Sequence, residues 1–189
     1  MIPSWWVSVL AVLVVLLALA WYLSFSAARL DRLHHRVEGA RGVLDGQLLR
    51  RATAASELAA SGLLDPATSV LLAGAAAEAV GAGDDPDGGL DHRRREVAES
   101  DLSRALRAAL EDPAVPAELA GDPFGAPLLS GLDVAGQRVR MARRFHNDAV
   151  AQARRVRAKR VVRWARLAGR APLPESFEMD DDPPAGSTA

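Results

Sequence analysis

From Trp5 to Phe25 the chain reads WWVSVLAVLVVLLALAWYLSF, an apolar run without a charged residue. A helix rises about 1.5 Å per residue, so the run is about 31 Å long, the thickness of a bilayer's hydrocarbon core. Trp5 and Trp6 lie at one end and Trp21, Tyr22 and Phe25 at the other. That is where the two water–lipid interfaces favour aromatic rings. The pattern predicts one transmembrane helix. After Ser26 the apolar positions become periodic: Leu30, Leu33, Val37, Ala40 and Leu44 alternate three- and four-residue steps, and Leu48, Ala52 and Ala55 continue them. No proline intervenes before Ser61-Gly62, so the span and the first bundle helix are expected to run on as one rod. Gly39, Gly42 and Gly46 each lower helix propensity by about 1 kcal/mol relative to alanine and suggest a closely packed neighbour.

Asp65-Pro66 has the composition of an N-cap followed by a first-turn proline, and opens a second helix to about Val80, with Val70, Leu71 and Leu72 expected to be buried. Gly81 to Gly89 reads as a loop. A third helix, about Asp91 to Leu110, has Val97, Ala98, Leu102, Leu106, Ala109 and Leu110 as its inner stripe. Glu111 to Gly131 holds four prolines and three glycines and reads as a long connector, pinned to the bundle by Phe124 and Leu128-Leu129. A fourth helix, about Asp133 to Ala168, ends at Gly169 as C-cap and turns Val139, Ala142, Phe145, Ala149, Ala153 and Val156 inward. No stretch alternates with the period of a strand. The expected fold is all-α: an N-terminal transmembrane helix continuing into an antiparallel bundle of about four helices. The boundaries are a short extracytoplasmic N-terminus at 1–4, the span at 5–25, a cytoplasmic bundle at 26–170 and a flexible acidic tail at 171–189.

Composition sharpens this only in places. Cysteine is absent, which excludes disulfides, thiolate nucleophiles and cysteine metal sites. Ala18-Leu19-Ala20 resembles a signal-peptide cleavage site, but Met1 to Ser4 carries no Lys or Arg and the apolar run exceeds a signal core. Arg29, Arg32, Arg36 and Arg41 follow the span, so the positive-inside rule leaves the N-terminus outside and the bulk of the chain cytoplasmic, at the cell membrane.

Ala142 to Val150, ARRFHNDAV, resembles the signature of the LemA family of bacterial membrane proteins. The matching positions are Ala142, Arg143, Asn147, Asp148, Ala149 and Val150, with His146 where the family usually has tyrosine. The apolar N-terminal span, the Pro-rich connector and a closing Phe177-Glu178 add to the resemblance, which covers about residues 28 to 178. Ala153-Arg154 stands where a second Tyr-Asn is usual, which marks a divergent member. The resemblance implies a membrane-anchored helical bundle and supplies no catalytic residue. Asn147 inside a helix is expected to have a side-chain or backbone partner.

Other motifs carry less. Gly81-x5-Asp87-x7-Arg95-Glu96-Val97-Ala98-Glu99 resembles the box of Nudix pyrophosphohydrolases, whose glutamates hold divalent metal on a diphosphate, but Ser100 and Leu102 replace two of its positions. That alternative, a Mg-dependent hydrolase read from residues 81–102, also requires a mixed sheet. The plainer reading is a solvated helix start with pairs such as Arg95 with Glu99. Asp85-Pro86-Asp87-Gly88 lacks the first and last ligands of a calcium loop. Adjacent His34 and His35 point about 100° apart on a helix and cannot chelate together. No catalytic, cofactor or metal site is predicted.

Helix four from Arg138 to Arg170 carries twelve basic residues and one acid, Asp148. These are expected to pair with bundle acids such as Glu38, Asp45 and Glu57. Alternatively, Arg154, Arg155, Arg157, Lys159, Arg160 and Arg163 contact anionic lipid headgroups. Interleaved aromatics are lacking apart from Trp164, which argues against nucleic acid. The expected partners are the lipid bilayer and other proteins or a second copy of the chain, with no small-molecule substrate. The expected function is a non-enzymatic, single-pass scaffold or interaction protein.

Overall fold

The computed structural model describes residues 4–83, 91–158 and 172–182. Five helices follow in order: α1 (Ser4–Ala60), α2 (Pro66–Gly81), α3 (Asp91–Ala109), α4 (Ala114–Gly121) and α5 (Gly125–Arg157). Among the described residues there is no strand, and the fold is all-α. The chain divides into two compact units, Met1–Gly39 with Asp148–Glu175, and Ala40–Asn147 with Ser176–Ala189.

In the first unit α1 is continuous through the apolar run, and each side chain described between Trp5 and Phe25 is exposed. Among the described residues α1 is the one helix long and apolar enough to cross a membrane, a property shared by membrane anchors and signal sequences. Farther along, Leu30 and Leu33 are half-buried and Val37 is buried. Ala149, Val150 and Ala153 of α5 are buried, and Arg36 Nη1 donates to Gln152 Oε1 at 3.4 Å. His34 and His35 contact carboxylates of their own helix, Glu38 and Asp31.

The second unit is organised around Ala52, Ala55 and Leu58 of α1, Leu72 and Ala76 of α2, Leu102 and Leu106 of α3, Leu119 of α4 and Leu132 of α5. Small side chains on α1 and α2 permit close helix packing but bury little apolar area each. Gly39, Gly42 and Gly46 do not mark a close approach: an added Cβ would meet nothing within 4 Å. Ser61 Oγ donates to the Leu58 carbonyl, and Gly62 turns the chain with φ of 74°. Asp65 caps α2 as expected, accepting from Ala67 N and Thr68 N at 3.0 and 3.1 Å. The Thr68 side chain, and after it the Thr68 and Ala67 N–H groups, hold its carboxyl below the usual range by hydrogen bonding.

The fold departs from the expected pattern at several points. The connector folds: α4 lies within it, and α5 begins at Gly125 rather than near Asp133. Its prolines at 113, 116, 123 and 127 sit at helix entrances or in first turns, where no intrahelical N–H is needed. Asp122 Oδ1 accepts from Phe124 N and Gly125 N, both at 2.8 Å, and a Cβ at position 125 would come 2.6 Å from the Leu119 carbonyl oxygen. Phe124 itself is 80% exposed and pins nothing, while Leu128 and Leu129 pack on the core. On α2 only Leu72 of the three apolar candidates is buried, and Val97 of α3 faces outward. Phe145 is 64% exposed, and its neighbour His146 takes the buried position. Most of the Gly81–Gly89 loop, the end of helix four with Gly169, and Trp164 lie outside the described residues.

A buried ion pair crosses from α1 to α3. Arg51 Nη2 donates to Glu99 Oε2 at 2.7 Å and to the Glu99 carbonyl at 3.0 Å, and Nη1 donates to Ser103 Oγ at 2.9 Å. Glu99 is thus the partner of Arg51, and Arg95 bonds Asp45 at 3.1 Å instead. Burial pushes the Glu99 carboxyl above its usual range, against the pull of the Arg51 charge. Removing either partner alone is expected to cost about 3–5 kcal/mol, because the other charge stays buried without compensation, whereas an apolar pair of similar volume is near neutral. Thermal unfolding should therefore show R51M/E99L melting closer to wild type than either R51M or E99L; a double mutant losing the sum of the single losses contradicts this.

Candidate functional site

Residues 176–182, expected to be part of a flexible acidic tail, form an extended strap seated between α3 and α5. The physical reason is an apolar patch that no helix covers. Leu44 and Leu48 of α1 with Val139 and Ala142 of α5 form it, and Phe177 and Met179 of the strap close it. Phe177 is fully buried. The His92 ring meets its ring edge-on with centroids 5.4 Å apart, and the Arg41 guanidinium lies 5.6 Å from its centroid.

Polar side chains then hold the strap's backbone. Asn147 Nδ2 donates to the Phe177 carbonyl at 3.1 Å and its Oδ1 accepts from Phe177 N at 2.8 Å, so one amide satisfies both backbone groups of one residue. This backbone partner accounts for an asparagine in mid-helix. On the α3 side, Glu96 Oε1 accepts from Glu178 N at 2.6 Å and Ser100 Oγ accepts from Asp180 N at 3.1 Å. His92 Nδ1 faces Arg41 Nη1 at 2.8 Å and must accept there. Its Nε2 therefore carries the proton and donates to the Ser176 carbonyl at 3.0 Å.

Charges complete the arrangement. Arg107 grips the Asp180 carboxylate with both Nη atoms, one contact at 2.8 Å. Arg143 Nη2 lies 2.8 Å from Asp181 Oδ2, and its Nη1 reaches the Met179 carbonyl at 3.5 Å. The hydrogen bonds from Arg107 hold the Asp180 carboxyl below its ordinary value of 3.8. The same contact raises the Arg107 guanidinium.

The family-motif positions thus divide. Ala142 lines the Phe177 pocket, and Arg143 and Asn147 hold the strap, while Asp148 is exposed. Ala149 and Val150 are buried in the first unit. Of the acids expected to pair with the last helix, Glu38 meets His34 and His35 and Asp45 meets Arg41 and Arg95, while among the described residues of that helix Arg143 meets the strap's acids. In the first unit Arg154 Nε donates to the Pro174 carbonyl at 2.7 Å and Arg157 Nη1 to the Pro172 carbonyl at 2.6 Å. Arg155 Nε donates to the Ala151 carbonyl at 3.3 Å. Lys159, Arg160 and Arg163 lie outside the described residues. Of the hydrolase-like positions, Glu99 is buried on Arg51, Glu96 holds the strap, and Asp87 is outside the described residues. Among the described residues no cluster of three His, Asp or Glu side chains is placed to hold a metal.

The strap contacts from His92, Arg41 and Arg107 have no signature in the sequence. The sequence signals for the strap are the closing Phe177-Glu178 of the resemblance and Met179, with Phe177 and Met179 set among acidic residues.

Asn147→Ala leaves two backbone groups of Phe177 to be resolvated, at about 1–3 kcal/mol of strap docking. Glutamate-specific proteolysis should then cut after Glu178 faster in N147A than in wild type; equal cutting rates contradict the contact. Acid should also release the strap. The docked Asp180 value lies below the undocked one, so its contribution is fully present above 3.8 and is lost as pH falls through the docked value. The Asp180 amide proton shift, followed by NMR, should move to its undocked position below pH 3.8 in wild type, and Asp180→Asn should remove that transition. No family model, curated protein or solved structure matches this chain.

Proposed function

We propose that this chain is a single-pass membrane-anchored interaction protein, with its N-terminus outside and the helical bundle in the cytoplasm. The observation that carries the reading is α1 itself: one unbroken helix, whose described apolar side chains from Trp5 to Phe25 are exposed, runs on into the bundle. Exposed Val, Leu and Trp side chains over that length are unfavourable in water and favourable in lipid. Arg29, Arg32, Arg36 and Arg41 follow the span and favour the cytoplasmic side for the bundle.

The reading is non-enzymatic. Arg51 with Glu99 and Arg95 with Asp45 pair inside the second unit, and Glu96, Arg107 and Arg143 hold the strap, an arrangement suited to holding a shape and presenting surface. A divergent LemA-like identity accompanies the proposal. What supports it is that Asn147 and Phe177, two separate parts of the resemblance, are hydrogen-bonded to each other.

The test is fractionation and protease protection of the full chain carrying a C-terminal tag. The chain should stay in the membrane pellet through carbonate extraction, and the tag should survive protease added to intact cells. A soluble, shortened product indicates a cleaved signal and overturns anchoring; a tag digested from outside overturns the orientation.

A further inference from the structure

The strap is held as a bound peptide is held. Its backbone bonds go to side chains, Asn147 on one side and Glu96 and Ser100 on the other, and they would accept any residue types. Selectivity comes from three places: a closed apolar pocket that takes Phe177, and two arginines, Arg107 and Arg143, set for carboxylates at positions three and four residues beyond it. An aromatic anchor in a desolvated pocket, flanked by arginine-bound acids, is a general mode of peptide recognition.

We infer that the groove between α3 and α5 is a recognition site for extended acidic segments of the form Phe-Glu-x-Asp-Asp, and that a protein partner displaying such a segment exchanges with the chain's own strap. Charge complementarity selects this occupant. The groove supplies two guanidinium groups and the apolar pocket, and a basic or aliphatic-only segment would leave both arginines without acceptors. The chain's own strap is tethered to the groove and so acts at an effective concentration on the order of mM. A partner must outcompete it or arrive when it has opened. The inference rests on reading this chain as an interaction protein and names the chemistry of what it binds. A crosslinked partner whose capture is unaffected by strap peptide would overturn the inference and leave that broader reading standing.

The experiment is a fluorescence-anisotropy titration of the full chain in detergent micelles with a dye-labelled peptide of residues 172–182. F177S/D180K, which disables the chain's own strap and leaves the groove intact, should bind the peptide at least about tenfold more tightly than wild type, whose groove is occupied. A peptide carrying Phe177→Ala or Asp180→Lys should lose at least about tenfold on the same variant, the effect of losing an anchor or a paired charge. Equal affinity for wild type and variant, or equal binding of a scrambled peptide, overturns the proposal. Should F177S/D180K lose its helical circular dichroism, hydrogen exchange of wild type decides. Amides of Glu178 and Asp180 should exchange faster than those of Leu48 and Leu102, showing that the groove opens without unfolding; exchange in step with those core amides overturns it.

Discussion

The second unit depends on covering the patch made by Leu44, Leu48, Val139 and Ala142. Two long helices present these residues, and among the described residues the cover comes from Phe177 and Met179 of an extended segment. Burying one phenylalanine contributes about 1.5–3 kcal/mol, a large share where the remaining core is mostly alanine and leucine. The hydrophobic contact sets where the strap lies, and the polar contacts set its register. Asn147 fixes Phe177, Glu96 and Ser100 fix the N–H groups of Glu178 and Asp180, and Arg107 and Arg143 read the Asp180 and Asp181 carboxylates.

A second constraint lies beneath the first. Arg51 and Glu99 occupy positions that the helical period assigns to the interior of α1 and α3, and burying them demands that each neutralise the other. Such a pair adds little net stability compared with an apolar replacement, yet it penalises any register of the two helices that separates the charges.

Much of the helical pattern was legible. The long rod ending at Ser61-Gly62, the capped start at Asp65-Pro66 and the inner stripe Leu44, Leu48, Ala52, Ala55 all follow from period and turn chemistry. In the connector, where each proline stands matters more than how many there are. Asp112-Pro113 and Asp122-Pro123 repeat the Asp-Pro device of α2, and in each the aspartate accepts from N–H groups just beyond the proline. Phe145 was misplaced for a related reason. The buried stripe of α5 steps from Val139 and Ala142 to His146 and Ala149, and a residue one position earlier points about 100° away, whatever its hydrophobicity. The strap has no periodic signature of its own because a short acidic segment carries no helical or strand period; apart from the local Asp182 N–H to Asp180 Oδ1 bond, it is held by side chains distant in sequence. The partners of Asn147 and Arg143 therefore became visible only when the chain was folded.

The C-terminal segment is an integral cover for the second unit, with Phe177 seated between Leu44, Leu48 and Val139. The most direct measurement is a set of nuclear Overhauser contacts in the full chain in detergent micelles, with methyl-labelled leucine and valine. Cross-peaks are expected from the Phe177 ring to the methyl groups of all three residues. A Phe177 ring with random-coil shifts and no cross-peak to any of them would contradict that placement.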